Sequence, residues 1–472
     1  MRKYLSLLIV AIFAFTSYSS AQQSPSDFMV LQGATVFDGT GKTIENAVVI
    51  IKDGRIQEIG GQDVKIPKNA TTIDLSGKFI TPGLVDAHIH FAQTGFFDGR
   101  PDVVDIRDSI NYKDLQADLK ENPKSYYEAY LRSGVTAVYD VGGFPWSIER
   151  QKTAENNLMA PHVAAAGPLF SGYPEARLST FNIDDDKQMI HLSDPEFGRA
   201  TVRKHSSLGS TGIKIWGVQL KDSTFMNSLR AVADETTIQK NKLIVHATNL
   251  NEAKEALRLG AKVLVHSVDD AEIDEEFIKL AKANNVIYLP TLTVTRGYLN
   301  TFRSLLKERK VNDPNNVMDH RAKELLKTST DYFSFFPAQV NLEMQMNAFE
   351  QRVLKSEAVM DKNLKKLYDA GITIAVATDA GNPGTFHGIS IYDEMEAMQK
   401  ANIPANELII MATKNGAMAM DRSNDFGILE KGMMADLIIL DQNPSLDIAN
   451  MRSILQVMRG GQLRPVNKKF DN

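Results

Sequence analysis

The sequence contains no cysteine among its 472 residues. This absence excludes disulfides, thiolate metal sites, a cysteine nucleophile and attachment of a lipid to a cysteine. Any metal ion must therefore be bound through nitrogen and oxygen. The chain also lacks runs of basic residues and carries a formal net charge of −5, so nucleic acid is not an expected partner.

The hydrophobic run at the start of the chain is shorter than a membrane-spanning segment. Residues 4–15 are apolar, follow two basic residues, and precede a polar stretch that ends Ser19-Ser20-Ala21. This order is typical of a secretory signal peptide, predicted here over residues 1–21 with cleavage before Gln22. The alternative is an uncleaved membrane anchor, which the short apolar run disfavours. We therefore expect a periplasmic or secreted protein without membrane attachment after signal removal.

The remaining sequence indicates an α/β protein with one large domain and one small domain. Short β-rich runs broken by turns occupy residues 28–80 and return at residues 425–465, which predicts a composite β-sandwich domain built from both ends. Between them, residues 81–424 alternate apolar strands with helices, as expected for a (β/α)8 TIM-like barrel. The charged stretch at about residues 298–345 is too long for an ordinary connection and predicts an insertion at one barrel mouth.

Eight barrel strands can be placed from the apolar runs. They are predicted at residues 84–90, 136–141, 162–166, 212–216, 243–246, 263–266, 286–289 and 372–378. Intervening helices are predicted at residues 251–259, 272–283 and 346–369.

Histidines lie at the carboxyl ends of three of these strands. His88 and His90 are two residues apart, so a strand would present both imidazoles on one face. His246 and His266 each end an apolar run, one βα unit apart. The carboxyl ends of barrel strands carry the chemistry in this fold, which favours metal ligands. The alternatives are ordinary polar residues for the first pair and hydrogen-bonded core histidines for the second.

An aspartate and a lysine occupy comparable positions. Asp379 ends the eighth strand and meets a glycine-rich loop, where it is either a site carboxylate or a helix cap. Lys214 interrupts the fourth strand and either points inward or protects a sheet edge. An unmodified ammonium is an unexpected neighbour for a cationic metal.

Together these segments resemble the amidohydrolase superfamily, nearest to its imidazolonepropionase-like and secreted prolidase-like members. The resemblance covers essentially everything after the signal. The segments that carry it are residues 79–90, the strand with Lys214, His246, residues 265–267, residues 378–381 and residues 432–437.

The resemblance implies a binuclear metal centre in which Lys214 is carboxylated on its amine and bridges two ions. His88, His90 and Asp379 would hold the first ion, and His246 and His266 the second. Two zinc ions are the default for nitrogen and oxygen ligands, although cobalt, manganese or iron suit the same set. The metals would activate a hydroxide, and Asp379 would act as the catalytic proton acceptor and donor.

Three further residues are candidates for substrate contact. His387 lies on the loop after Asp379, and its alternative is an exposed loop histidine. Arg296 and Tyr298 follow the seventh strand and suit recognition of a carboxylate or an aromatic group. The histidines without a strand-end position are expected to be structural or exposed: His162, His191, His205 and His320. The aromatic run at residues 332–336 is expected to pack within the insertion.

These observations predict a metal-dependent amidohydrolase that cleaves the carbon–nitrogen bond of a small substrate, a dipeptide or an N-acyl amino acid above all. Opening of a cyclic amide or a lactone uses the same chemistry and is the alternative within this class. A non-catalytic barrel scaffold is the alternative from another class, and the complete ligand set argues against it. The sequence leaves open the exact substrate, the number of metals and whether the chain forms a homo-oligomer.

Overall fold

The computed structural model describes residues 28–335 and 342–470. The predicted signal peptide and Phe336 of the aromatic run lie outside these residues. Within the described part of the chain, no helix combines the length and the apolar character needed to cross a membrane.

Eighteen strands are present in the described residues. Their bounds are β1 Met29–Phe37, β2 Thr43–Lys52, β3 Arg55–Gly60, β4 Thr71–Asp74, β5 Phe79–Pro82, β6 Leu84–Ile89, β7 Val135–Asp140, β8 His162–Ala165, β9 Leu169–Ser171, β10 Met189–His191, β11 Ile213–Trp216, β12 Leu243–His246, β13 Val263–Val265, β14 Ile287–Leu289, β15 Thr373–Ile374, β16 Leu437–Leu440, β17 Ile454–Arg459 and β18 Gln462–Pro465.

Fourteen α-helices are present in the same residues. Their bounds are α1 Tyr112–Glu121, α2 Lys124–Arg132, α3 Trp146–Glu155, α4 Glu175–Leu178, α5 Pro195–Leu208, α6 Ser223–Ile238, α7 Leu250–Arg258, α8 Glu275–Asn284, α9 Val294–Ser304, α10 His320–Lys327, α11 Leu342–Asp369, α12 Ser390–Lys400, α13 Ala405–Met411 and α14 Lys414–Ala419.

Strands from both ends of the chain form one mostly antiparallel sheet, in the order β18-β17-β16-β5-β1-β2-β3, with β4 also paired to β1. The N-terminal and C-terminal strands share one apolar cluster, which includes Val49 and Ile51 from β2 with Leu437 and Ile439 from β16. The small domain therefore depends on a pairing between segments more than 350 residues apart.

The middle of the chain forms the predicted barrel of parallel strands. Seven strands follow the order β10-β9-β11-β12-β13-β14-β15, and three follow β6-β7-β8. Backbone hydrogen bonds close the ring between the first and eighth strands: the amide of Ala87 donates to Val376 (3.0 Å) and the amide of Asp379 donates to His88 (2.8 Å). The fold class predicted from the sequence is confirmed.

Two local features differ from the expected strand pattern. The third barrel strand is split into β8 and β9, because Gly167 adopts a left-handed backbone (φ 75°) and Pro168 has no amide to donate. The eighth strand, predicted over residues 372–378, has regular ladder pairing only at Thr373–Ile374. Its continuation to Asp379 still bonds to both neighbouring strands.

Candidate active site

Four histidine rings form a continuous chain at the carboxyl ends of the barrel strands. The ring centroids of His90 and His88 are 4.9 Å apart, those of His88 and His266 are 5.2 Å apart, and those of His266 and His246 are 4.3 Å apart. Parallel strands bring their carboxyl ends to one edge, so residues distant in sequence converge there. Burial lowers the pKa of His88 and of His246 well below the ordinary value, and lowers that of His266 to about 4. These rings are neutral and can offer lone pairs.

Asp379 joins this chain of rings. Its Oδ1 lies 3.0 Å from Nε2 of His90 and 3.3 Å from Nε2 of His88, and its Oδ2 lies 4.0 Å from Nδ1 of His266. Burial alone would raise the pKa of Asp379, but His88 and His90 lower it below its ordinary value. The side chain is therefore a buried carboxylate, and its backbone is held in the left-handed region (φ 56°).

A hydrogen bond to a carbonyl oxygen fixes His90 in the tautomer that suits a metal ligand. Nδ1 of His90 lies 2.6 Å from the carbonyl oxygen of Gly142, which can only accept, so Nδ1 carries the proton. In a neutral ring, Nε2 then offers a lone pair toward Asp379. Nδ1 of His266 is held by the hydroxyl of Thr291 at 2.7 Å. A neutral His90 ring thus turns a lone pair toward the Asp379 carboxylate at 3.0 Å, an arrangement that a bound cation would stabilise.

Asp86 holds the first and eighth strands together behind the site. Its fully buried carboxylate accepts hydrogen bonds from the Thr378 amide (3.0 Å) and the Thr378 hydroxyl (2.6 Å). Burial raises the pKa of Asp86 to about 7 despite these hydrogen bonds. The residue next to Asp379 is therefore fixed by a side chain from the strand that carries His88.

Lys214 is buried in the same region without a partner. Its side chain is 1% exposed, and Nζ has no hydrogen-bond acceptor among the described residues. Burial lowers its pKa to about 7, against the opposing charge of Asp379. A buried amine without a partner is costly, so its position needs an explanation beyond packing.

The donor set fits a divalent metal ion. His88, His266 and Asp379 each offer a ligand atom, and these atoms lie within 4.8 Å of one another. Nδ1 of His88 and Nζ of Lys214 are buried polar atoms without partners in the described chain. Neutral imidazoles with a carboxylate are ligands that zinc and related ions prefer.

A cavity of about 320 Å³ opens beside this cluster. His90, Lys214, His246, His266 and Asp379 lie on its wall, and His88 lies behind them. Aromatic side chains form much of the remaining wall: Tyr173, Phe181, Trp216, Tyr298 and Phe349. A volume of this size, with aromatic and polar side chains on its wall, suits a small substrate.

The three suggested substrate contacts have different positions. Tyr298 lies on the cavity wall, where its hydroxyl donates to Asn382 at 2.7 Å. Arg296 is not on that wall, because its guanidinium is bound to Glu357 by two hydrogen bonds. The structure therefore does not place Arg296 where it was expected to contact the substrate.

His387 is also not part of the cavity wall. The ring is 2% exposed, and its two nitrogens lie 2.7 Å from the Tyr130 hydroxyl and 2.9 Å from the Gln93 carbonyl oxygen. The ring also packs against Tyr126, with centroids 4.0 Å apart. Neither expectation for His387, substrate contact or an exposed loop position, matches this buried supporting role.

The remaining histidines lie away from the cavity. His162 and His205 are buried, His191 is half-buried and His320 is exposed, in agreement with the sequence-based expectation. Within the aromatic run, Tyr332 packs against Phe96, with centroids 5.5 Å apart, while Phe333 is 43% exposed.

Several cavity residues were not identified from the sequence. Arg100 lies on the wall and is held by Asp102, with Nε–Oδ1 and Nη2–Oδ2 distances of 2.8 and 2.9 Å. It also donates to Tyr298 and Asn382. No local pattern marks Arg100, which lies in an irregular loop. The sequence could have placed Trp216 on the cavity wall, because residues two apart on a strand face the same side and Trp216 follows Lys214 by two.

Comparisons with known proteins agree with this barrel and its site. Residues 79–464 match the Amidohydrolase family, and the chain belongs to that family. The fold and the site are those of a hydrolase that acts on small molecules.

Individual relatives differ in activity. A 5'-deoxyadenosine deaminase of Methanosarcina mazei is 24% identical over 423 residues, which cover 84% of this chain and 80% of the relative. An imidazolonepropionase of Thermoanaerobacter pseudethanolicus is 38% identical over 86 residues, which cover 18% of this chain and 20% of the relative. A Xaa-Pro dipeptidase structure with bound methionine in the active site has a TM-score of 0.70 and 22% identity, and the match covers 93% of this chain and all of that chain. At this identity the structural match shows the fold alone.

Proposed function

We propose that this protein is an exported, metal-dependent amidohydrolase that cleaves the amide bond of a dipeptide or an N-acyl amino acid. The observation that carries the proposal is the convergence of four histidines, a carboxylate and an unpartnered lysine beside one small cavity. The apolar run at residues 4–15 supports export.

The chain's own residues would hold two divalent ions. His88, His90 and Asp379 are the ligands proposed for one ion, and His246 and His266 for the other, with zinc as the default metal. Bound there, the ions would make a water molecule more acidic and polarise the scissile carbonyl.

Lys214 is proposed to bridge the two ions after carboxylation. Because its pKa is lowered to about 7, a large share of the amine is neutral at physiological pH. A neutral amine can attack carbon dioxide, forming an N–C bond and releasing a proton. The product is an anion, which replaces an uncompensated buried amine with a group that suits a cationic centre.

Asp379 is proposed to move the proton during hydrolysis. Its carboxylate is buried at the centre of the site, where it can take a proton from water and deliver it to the leaving nitrogen. The aromatic wall would hold an apolar substrate side chain and exclude water from the reacting bond.

Hydrolysis of a panel of dipeptides and N-acyl amino acids tests this proposal. We expect release of a free amine and a carboxylate, with turnover reduced about 100-fold or more in Asp379→Asn, because general acid–base catalysis contributes that much. Asp441→Asn, a change at a half-exposed residue of the small domain, is the matched control and should retain turnover. Absence of amine release from every member of the panel would refute the proposed substrate class.

Hydrolytic deamination is the second candidate, because the M. mazei relative matches along most of the chain. Both reactions break a carbon–nitrogen bond, but only deamination of a nucleoside releases ammonia. Incubation with 5'-deoxyadenosine, with ammonia as the readout, separates the two. Lactams and lactones belong in the same panel, because they test ring opening.

A further inference from the structure

A second cavity, of about 510 Å³, lies beside the active-site cavity. It is enclosed by α9, α11, α12 and the loops that follow the seventh and eighth barrel strands. The two cavities share the side chain of Met360 but no other lining residue. The second cavity is therefore a separate space, and what it binds does not depend on the proposed activity.

Several of the charges around this cavity are already paired. Arg296 is bound to Glu357 through two hydrogen bonds. The Asp393 carboxylate accepts a hydrogen bond from Arg452, at 2.6 Å. Two further lining residues, Asp361 and Lys400, carry opposite charges.

Arg309 is the lining arginine for which the described residues provide no ion pair. In the part of the chain that the structure describes, no acid lies within 4.0 Å of its guanidinium, and its buried Nη1 has no hydrogen-bond partner. The guanidinium lies over the ring of Phe386, 5.3 Å from the centroid. Burial lowers its pKa, which Asp393 only partly offsets from a distance. Keeping an arginine in such a place is unfavourable unless an anion joins it.

We propose that the second cavity binds a small monocarboxylate through Arg309. The flat guanidinium presents paired N–H groups whose spacing matches the two oxygens of a carboxylate. Ser390 adds a donor, because its Oγ accepts from the Phe386 amide at 2.7 Å and its proton is left for another acceptor. Leu292, Met360 and Ala397 offer an apolar surface for the rest of the ligand.

The lining also sets the charge of the ligand. Arg309 balances one negative charge. Lys400 interacts with Asp361 and Arg296 is bound to Glu357, while Asp393 would repel a second negative charge. Phosphate and dicarboxylates are therefore disfavoured. A short aliphatic acid fits both the unpaired arginine and the apolar surface.

The bound acid would contact the loop that carries Asp379. Thr385 lies on the wall of the second cavity, and its hydroxyl donates to the carbonyl oxygen of Asp379 at 2.8 Å. Thr293, on the opposite loop, also lies on this wall. The site is thus adjacent to the loops that follow the seventh and eighth barrel strands.

Butyrate is a suitable probe, and butyramide, which has the same shape without the charge, is its control. Calorimetric titrations of the metal-loaded protein at constant ionic strength would compare the wild type with Arg309→Gln and Lys310→Gln. Lys310 is the matched control, because it is an exposed cation next to Arg309 that does not line the second cavity.

We expect butyrate to bind the wild type and Lys310→Gln alike, with affinity at least about tenfold weaker in Arg309→Gln, since a charge-assisted bidentate contact is lost. Butyramide should not bind measurably at the same concentrations. Equal butyrate affinity in Arg309→Gln and the wild type would overturn the proposal, as would equal binding of butyrate and butyramide. If butyrate bound at the metal centre instead of the second cavity, its affinity would be the same in Arg309→Gln and in the wild type.

A wild-type crystal soaked in butyrate keeps the proposal testable should Arg309→Gln fail to fold. Electron density for the carboxylate against the Arg309 guanidinium is the expected result. Density confined to other places, or no density in the second cavity, would overturn the assignment.

Discussion

Lys214 has the least ordinary environment of the site residues. A buried amine without an acceptor loses its hydration and gains no hydrogen bond, so on packing grounds alone an apolar side chain would be favoured there. The neighbouring His246 and His266 have depressed pKa values and add no negative charge. The lysine makes physical sense when a reaction changes its charge, as carboxylation would.

Replacement of Lys214 with methionine separates a metal role from packing. The methionine has similar length and no charge, so the free energy of unfolding of the metal-free protein should stay the same or rise. Metal content should fall, and turnover should decrease about 100-fold or more, because the metal centre contributes several kcal/mol to catalysis. Elemental analysis and amine release measure both effects.

Lys242→Met is the matched control for this change. Lys242 is also a mostly buried barrel lysine, but it pairs with Asp421 at 2.8 Å away from the cavity. Its replacement should cost stability and leave metal content unchanged. Full metal occupancy and turnover in Lys214→Met would show that Lys214 is no ligand.

Residue positions could be predicted where the strand pattern fixes them. His88, His90, His246, His266 and Asp379 end apolar runs, and parallel strands bring those ends together. Arg296 and His387 lie on a helix and a loop, where the direction of a side chain depends on neighbours distant in sequence. Glu357 and Tyr130 bind them, and no local pattern indicates such partners.

At the scale of elements, one buried glutamate fixes the loop after β14. Glu394, on α12, accepts hydrogen bonds from the Leu292 amide (2.7 Å), the Thr293 amide (3.0 Å) and the Thr293 hydroxyl (2.9 Å). The adjacent Thr291 holds His266. The helix thereby fixes the loop that sets the orientation of this ring.

The variant Glu394→Gln should loosen the loop. The amide offers one accepting oxygen in place of two, so at least one of the three buried donors loses its acceptor, which costs about 2 kcal/mol in the free energy of unfolding. We expect weaker metal binding as well, because His266 loses its support. Chemical denaturation and metal titration measure these effects. Glu396→Gln, on the same helix but partly exposed, is the control; equal metal affinity in both variants would contradict the positioning role.

The elements themselves were largely predictable from apolar periodicity. Strands β6 to β8 and β11 to β14 begin and end within one or two residues of their predicted positions. The strands β9 and β10 were missed, because each has only three residues and depends on pairing with the other. The full length of α11, Leu342–Asp369, exceeds the prediction by four residues at its start.

At the scale of the whole molecule, a buried ionic cluster joins the barrel to the small domain. His162 begins β8, at the end of the barrel opposite the active site. Its ring nitrogens lie 2.8 Å from Glu155 and 2.8 Å from Asp436, which immediately precedes β16. Burial alone would raise the pKa of Glu155, but the hydrogen bond to His162 lowers it to about 2.

This cluster should make stability dependent on pH in acid. A carboxylate whose folded pKa is lowered stabilises the protein above its unfolded pKa of about 4.5, and that stabilisation is lost as the pH falls toward 2. His162→Ala should reduce the free energy of unfolding by about 1–2 kcal/mol at neutral pH, because the buried Asp436 and the partly exposed Glu155 each lose a hydrogen-bond partner. Turnover at room temperature should be little changed.

Urea unfolding at several pH values measures this effect. The difference between wild type and His162→Ala should shrink between pH 4.5 and 2, since the wild type loses the contribution that the variant already lacks. His320→Ala, at an exposed histidine, is the control and should follow the wild type. A difference that stays constant with pH would contradict the role assigned to the cluster.

Hydrolysis is proposed to take place at metal ions held by the histidine chain. Amine release from the best substrate of the panel, measured while metal-stripped protein is titrated with zinc, is the decisive measurement. Turnover should be absent without metal and fully restored at two ions per chain. Undiminished turnover in the metal-stripped protein would show that the metal ions are not required for hydrolysis.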